Sequence, residues 1–409
     1  MIQARTRACL LSRRAPPSLA VAAILLAAAC TAPEVGEPGA PAAGPGGGGS
    51  HGGSGAAEES IPIGEFSSMT GATAAFGTSC HDGITLAADE VNAAGGVLGR
   101  PVRIFLEDDQ SKHEEVPAVI TRLIDRHKVV ALLGEIASSR SLAAAPLAQR
   151  ARIPMISPSS TNPRVTEAGE FIFRMCYLDD FQGSAMARFA RRTLGLSKGA
   201  VLRDIRSDYS MGLADFFSQE FRNLGGTVLA DEKYSEGESD FRAQLTKIKS
   251  LAPEFIFVPG YYADAAKIAR QARDLGITVP LLGGDGWESS KLFEIGGEAI
   301  EGCFYSNHYF QDDPRREIRD FVGSFASRFG YTPDSVAALS YDAMKLLADA
   351  MGRAGTTDGD AVRKALAATR GWRGVTGEMS LDANRNPVKP IVVLEVRGGR
   401  MILRETMNP

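Results

Sequence analysis

The sequence predicts an α/β protein of two domains, built on mostly parallel sheets with helices on both faces. Three observations carry this. Short apolar runs alternate with helical segments from Ile61 almost to Gly355, the rhythm of successive βαβ units. At 409 residues and 44% hydrophobic content, the chain can bury more than one core. The apolar runs end in small hydroxyl or aromatic clusters, which parallel connections gather at one sheet edge, where open α/β sheets bind ligands. Formal charge is nearly balanced, with Lys+Arg 45 against Asp+Glu 49, and no basic stripe carries interleaved aromatics. That pattern gives no argument for nucleic acid.

The amino terminus stands apart. Arg5, Arg7, Arg13 and Arg14 precede a short apolar run, Leu19 to Ala29, too short to span a membrane and shaped like a signal peptide over residues 1–29. The run stops at Cys30 after Ala27-Ala28-Ala29, which resembles a bacterial lipobox. The usual Leu position holds Ala27, with Leu26 one place earlier. The resemblance implies cleavage before Cys30 and a lipid on its sulfur that anchors the protein to a membrane; plain secretion is the alternative. Residues 30–57 are otherwise Pro, Gly, Ala and Ser with almost no bulky side chain, the composition of a flexible tether.

Ile61 to Phe66 reads as a strand, followed by the loop SSMTGATAAFG and a helix from Thr78 to Ala93. AAGGVLGRP turns the chain into a strand, Val102 to Leu106, whose end at Glu107, Asp108 and Asp109 reads as solvated. His113 to His127 is helical. Lys128 to Pro163 then holds two apolar runs, Val129 to Leu133 and Ile153 to Ile156, around an Ala-rich helical segment, Ser141 to Ala151. Strand, helix, strand makes two parallel strands finishing at one edge. They end in Ser138 and Ser139, and in Ser157, Ser159, Ser160 and Thr161. Hydroxyls together with free N–H groups at a helix start make a site for a small anion such as a carboxylate. Helix capping is the other role open to each serine.

A second series begins near Asp179. Helices are expected at Gly183–Leu194, Ser210–Leu224, Asp240–Ser250 and Ala263–Leu275. Strands are expected at Ala200–Ile205, Thr227–Ala230, Glu254–Val258, Pro280–Leu282 and Gly302–Ser306. Helical patterns follow at Arg315–Phe329, Ser335–Gly352 and Asp360–Ala368, and two alternating runs joined by GG, Ile391–Val396 and Arg400–Arg404, read as a hairpin.

Catalytic and cofactor motifs are absent or misplaced. G-x-S-x-G occurs at Gly48–Gly52 in the tether and at Gly195–Gly199 entering a strand, and neither has the strand, turn, helix context of a nucleophile elbow. G-x-G-x-x-G fits only inside the Gly-rich tether, and no phosphate-binding G-x-x-x-x-G-K-[ST] is present. The five His are scattered, without metal-ligand spacing. Neither an enzyme nor a metal or cofactor site is expected. Beyond Cys9 and Cys30, the chain holds Cys80, Cys176 and Cys303, so at most one disulfide can form among them.

The order and wording of the loops resemble the leucine/isoleucine/valine-binding proteins, type I periplasmic solute-binding proteins of branched-chain amino acid ABC transporters. The phrases that carry this are SSMTG-x-x-x-x-FG, VNAAGGVLGRPV, ASS followed by ISPSSTNP, SDYSMGL, PGYYADAAKIARQARDLG and GGDGW. They cover Ile61 to about Gly355, with a looser match in the tail. The resemblance implies two lobes joined by crossing strands, residues 58–177 plus 309–371 in one and 178–308 plus 372–409 in the other, with ligand held between them. It implies that Ser138 and Thr161 hold the ligand α-carboxylate, assisted by backbone near Ile136 and Ser159. Tyr209 and Tyr261 would lie over the ligand, and Asp285 would pair with the α-ammonium.

Other residues around this site are open to two readings or depart from the family. Phe76 stands where the leucine-binding branch carries a Tyr. Trp287 is expected as pocket wall, with lobe packing as the alternative. Tyr209 and Tyr261 could be core or hinge aromatics, although their exits from two different strands favour the cleft, and Tyr262 is open between cleft and core or hinge. Asp285 also suits a cap for a helix starting near Ser289. It is a methylene shorter than the Glu usual in that branch, so the ammonium must sit closer or be bridged by water. The family's first-lobe disulfide is ruled out by Ser111 and Ala137. The implied protein is a monomeric, lipid-anchored binding protein outside the cytoplasm that delivers an amino acid, branched-chain or aromatic, to an ABC permease. An amide or small carboxylate is the alternative ligand, and a sensor that hands its closed state to a signalling partner is the alternative class.

Overall fold

The computed structural model describes residues 60–409. The signal segment, Cys30 and the tether lie outside the described residues. The first lobe begins with β1 (Ile61–Ser67), α1 (Ala74–Ala93), β2 (Val102–Asp108), α2 (Val116–Thr121), β3 (Ala131–Leu133), α3 (Ser138–Ala151), β4 (Met155–Ser157), α4 (Arg164–Glu167) and β5 (Ile172–Arg174). Its five strands are parallel, in the order β2-β1-β3-β4-β5. The second lobe continues with α5 (Asp179–Arg188), β6 (Lys198–Asp204), α6 (Asp208–Asn223), β7 (Thr227–Tyr234), α7 (Arg242–Ser250), β8 (Phe255–Val258), α8 (Tyr262–Asp274), β9 (Leu281–Gly283), α9 (Ser290–Gly296) and β10 (Phe304–Asn307).

The chain then returns to the first lobe with α10 (Arg316–Phe329), α11 (Ser335–Ala354) and α12 (Gly359–Ala367). A short ribbon follows, β11 (Trp372–Gly374) with β12 (Gly377–Met379), and the hairpin β13 (Ile391–Arg397) and β14 (Arg400–Met407) ends the fold. The hairpin extends the second sheet to seven strands, β14-β13-β10-β9-β8-β6-β7, antiparallel only at β13 and β14. This is the two-lobed type I periplasmic-binding-protein fold.

Each sheet runs outward in both directions from its first strands. The neighbours β1 and β3, and likewise β6 and β8, flank a point where strand order reverses, the place where open α/β sheets bind ligands. Central strands β3, β4 and β8 are buried on both faces, so they read as continuous apolar runs rather than alternating ones.

Three chain segments cross between the lobes and touch one another. The ring of Tyr177, just past β5, stacks on His308, just past β10, with centroids 3.9 Å apart. Lys389, before β13, donates from Nζ to the Met175 carbonyl at 3.2 Å. Cys80, Cys176 and Cys303 are all buried as free thiols.

Helices begin earlier than the pattern of apolar residues suggests. α1 starts at Ala74 and takes in Phe76, α3 starts at Ser138, and α5 starts at Asp179. The polar or small residues that looked like loop occupy the first helical turn. In the opposite sense, the helix expected from His113 begins only at Val116, with Pro117 in its first turn, where a missing N–H costs nothing. β5, three residues long, was not anticipated.

Two placements differ from expectation in three dimensions. The ribbon Trp372–Met379, assigned above with the second lobe, is tied to α11 of the first. Asp342 accepts hydrogen bonds from the backbone of Val375 and Thr376, each at 2.8 Å. Asp109 is not solvated but completely buried, because the loop after β1 folds over it and Ser68 donates to it at 2.7 Å.

α1 packs on α11 with Gly83 against the Ala337 backbone, closer than any Cβ would permit. Gly83→Ala should therefore lower stability by about 1–2 kcal/mol, overpacking outweighing the better helix propensity of Ala. Urea unfolding checks this, and an unchanged midpoint would show that the helices can separate at no cost.

Candidate functional site

The first lobe presents the loops after β3 and β4. Two hydroxyls of the expected clusters, Ser157 and Ser160, turn inward and, with Ser141 of α3, tie the Glu135 backbone in place. Ser157, Ser160 and Ser141 donate to the Glu135 carbonyl at 2.6, 2.9 and 3.1 Å. Ser138 and Ser159 remain on the cleft. Ser138 Oγ accepts from the Asn162 N–H at 3.2 Å, which leaves its own proton to donate. It stands at the amino end of α3, whose first N–H groups and dipole favour an anion. Thr161 Oγ1 is buried with no aligned partner.

Behind this loop lies a cluster of buried ions. Arg140 lies 3.1 Å from Glu135 and donates to Thr73 Oγ1 at 2.8 Å, while Ser68 bridges Asp109 and Glu135. Burial, with Glu135 as a like-charged neighbour, pushes the Asp109 carboxyl up to about 7. The cluster holds the loop after β3 from behind, and Arg140 also lines a small space between the lobes with Ser139, Arg206, Ser207, Glu236 and Tyr261.

The second lobe presents Tyr209 at the start of α6, Tyr261 before α8 and Asp285 after β9. The two tyrosine rings stack, with centroids 5.3 Å apart. Phe76 from the first lobe meets Tyr261 edge-on at 5.8 Å. Asp285 is 8% exposed and both its oxygens are held: Tyr209 OH donates to Oδ1 at 2.9 Å, and His308 Nε2 lies 2.9 Å from Oδ2. Ser159 Oγ of the first lobe reaches Oδ2 at 3.4 Å, so the two lobes meet at this carboxylate.

The lobes are closed on each other. Asn162 Nδ2 donates to the Asp208 carbonyl at 2.8 Å, Asp208 N–H to Ser139 Oγ at 3.0 Å, and Arg164 pairs with Asp208 at 3.0 Å. Between them is a narrow cavity of about 10 Å³. Phe76, Ile136, Ser138, Ser159, Tyr209, Tyr261, Asp285, Gly286 and Val336 line it. That volume is room for about one water, so any larger ligand needs the lobes further apart than they stand here. One side is apolar (Phe76, Ile136, Val336), and the other carries Ser138, Ser159 and Asp285.

Seven of the nine expected site residues therefore line one cavity, and Thr161 lies buried close behind them. Trp287 does not line it. Its ring is fully buried in the second-lobe core, and Nε1 donates to the Val258 carbonyl at 2.8 Å, because the short 3₁₀ turn Asp285–Trp287 directs alternate side chains to cleft and core. Tyr262 bridges the lobes, its hydroxyl accepting from Ala75 N–H and donating to Ala72 O, both at 3.2 Å. Sequence reasoning missed Gln182, His308, Asp179 and Val336. His308 follows the exit of β10 and shared the signal of the other strand exits; Val336, inside a long apolar helix, carried none.

Gln182 joins this site to a second buried acid. Its Oε1 accepts from the Asp285 N–H at 2.8 Å, and its Nε2 donates to Asp179 Oδ1 at 3.0 Å. Burial, then the negative neighbour Asp285, pushes the Asp179 carboxyl well above the usual range.

The fold and cleft define a substrate-binding protein of the ABC-transporter type, two lobes closing on a small ligand. Residues 60–400 match the model of the Periplasmic binding protein family. The Leu/Ile/Val-binding protein homolog 1 of Brucella suis is 31% identical over 344 residues, 83% of this chain and 91% of that one. Two solved structures superpose with a TM-score of 0.82. One is a leucine-binding protein from Thermotoga maritima, 39% identical, covering 85% of this chain and 99% of its own. The other is a branched-chain amino acid transporter substrate-binding protein from Streptococcus pneumoniae in complex with isoleucine, 32% identical, covering 86% and 100%. The chain belongs to the periplasmic binding protein family, with the Leu/Ile/Val-binding proteins among its relatives.

Because the folded pKa of Asp179 is raised, its contribution to stability is complete below the unfolded value of about 3.9 and is lost as pH rises towards the folded value. Asp179→Asn keeps an acceptor for Gln182 and removes the buried charge. It should raise stability at pH 8 by about 1–3 kcal/mol, the scale of one unsatisfied buried group, and change little at pH 4. Thermal melts at the two pH values check this; equal effects at both would mean that Asp179 carries no excess proton.

Proposed function

We infer that this protein captures an α-amino acid with an apolar side chain, branched-chain or aromatic, and delivers it to an ABC importer. The observation that carries the reading is the opposition of Ser138 and the α3 terminus to Asp285 across one small cavity. An α-amino acid is a zwitterion, and burying it without compensating both charges costs far more than closure returns. Hydroxyl and N–H donors on the first lobe suit the carboxylate; Asp285 on the second suits the ammonium. Phe76, Ile136, Val336 and the face of Tyr261 are left for the side chain. Neither lobe alone offers both halves, so the ligand favours the closed state through contacts made only there.

Binding then needs no chemical step. The partner is a permease that reads the closed lobes, with the protein monomeric outside the cytoplasm and held to a membrane by a lipid on Cys30. The residue roles follow the same logic. Ser138 and Thr161, with backbone around Ile136 and Ser159, take the carboxylate. Tyr209 and Tyr261 cover the ligand from the second lobe.

Calorimetric titration with L-leucine and L-phenylalanine tests this. Asp285→Ala should weaken binding by about 2–5 kcal/mol, the usual cost of removing one partner of a buried charge pair. Ser138→Ala should cost less, roughly 1–3 kcal/mol for a hydrogen bond to a charged group. Unchanged affinity in Asp285→Ala contradicts the zwitterion model, and unchanged affinity in Ser138→Ala places the carboxylate elsewhere.

A further inference from the structure

His308 is nearly inaccessible, 4% exposed, yet it is not a packing residue. Its ring lies flat on Tyr177, and Nε2 is 2.9 Å from Asp285 Oδ2. A carboxylate only accepts, so the neutral imidazole must carry its proton on Nε2. The other nitrogen, Nδ1, is buried without a partner. A second proton would have no acceptor there.

Asp285 has one methylene fewer than a Glu, and its place in the cleft is set by what grips it. Tyr209 holds Oδ1, His308 holds Oδ2, and Gln182 holds the backbone N–H. Tyr209 sits on α6 and Gln182 on α5, and both also belong to the second lobe. His308 alone among the three is a titratable base. Other polar or charged groups around the pair are Ser159 from the first lobe, and Cys176, Tyr177, Asp179, Ser306, Asn307 and Lys389.

We propose that His308 is the positioning residue that aims the Asp285 carboxylate at the ligand's ammonium and, by staying neutral, keeps that carboxylate's charge available. The proposal rests on the amino-acid reading above. The coupling has a definite sign. With His308 neutral, the pair carries one negative charge, which a cationic group on the ligand offsets. Protonated His308 cancels that charge, so ammonium and proton compete for one carboxylate. Burial and the nearby Lys389 hold the His308 pKa below the ordinary value, against the pull of Asp285. The competing proton therefore arrives only below about pH 6.5. Ligand binding must expel it, and affinity falls with acidification by up to about tenfold per pH unit, the limit for one linked proton.

Two measurements on the purified protein test this. Nitrogen-15 NMR of the histidines should find His308 as the Nε2–H tautomer at pH 7, and Asp285→Asn should disturb that resonance. Calorimetry with L-leucine and L-phenylalanine from pH 7.5 to 5 should show the acid loss of affinity in the wild type. His308→Gln places an amide donor near the Nε2 position and cannot take up the proton. It should keep neutral-pH affinity within about threefold of the wild type and flatten the profile above pH 5, whereas His308→Leu should lose affinity at every pH. A Nδ1–H tautomer, or the same acid slope in His308→Gln, overturns the proposal. The expected tautomer with no heat from either amino acid leaves the pairing standing but defeats the amino-acid reading, and with it the role at the ammonium.

Discussion

One buried carboxylate organises the cleft. Asp285 belongs to the second lobe, yet its oxygen is within 3.4 Å of Ser159 on the first, so it marks the point where closure is completed. A carboxylate in such a place is tolerated only when donors surround it. Tyr209, His308 and the Gln182 relay supply them from three different elements. The same network brings Asp179 into reach, and two acids so close cannot both ionise cheaply. The second-lobe wall is thus arranged around the Asp285 carboxylate.

The first lobe solves the complementary problem. It turns Ser138, Ser159 and the start of α3 to the cleft and sets Glu135 and Asp109 behind the loop, with Arg140 reaching past them to the lobe boundary. Those ions are paired among themselves and fix the loop from the rear. Serines that look alike in sequence divide into two trades: Ser141, Ser157 and Ser160 hold the Glu135 carbonyl, and Ser138 and Ser159 face the cavity. Preorganisation of this kind lowers the ordering cost of binding. Tyr262 and Asp208 then latch the lobes by hydrogen bonds that do not involve ligand at all.

Much of this was legible in the sequence, and the failures have physical causes. Alternation of apolar runs and helices gave both sheets, because parallel strands buried on two faces leave continuous apolar runs. Strand exits pointed to residues that share one cleft, because parallel topology sends every exit to the same edge. What escaped was whatever depends on direction over a single residue. Asp285 and Trp287 sit two apart in one tight turn and face opposite ways, and no periodicity exists over three residues to say so. Asp109 looked like the third acid of a solvated strand end until the loop carrying Ser68 folded over it. His308 and Gln182 lie 126 residues apart, yet both grip the same residue. Such convergence is a property of the closed tertiary structure, visible in neither local stretch.

The measurement that bears most directly on the account is thermal unfolding of the purified protein across the common L-amino acids and a matched panel of small carboxylates and amides. A ligand at about 100 times its Kd adds roughly 2.7 kcal/mol to stability and moves the midpoint visibly. Stabilisation by leucine-like or aromatic amino acids, and not by the same side chains on acids lacking the ammonium, is the result that two-ended charge compensation predicts. Stabilisation by the acids or amides alone would contradict it, since Asp285 would then face a ligand with no cation to offer.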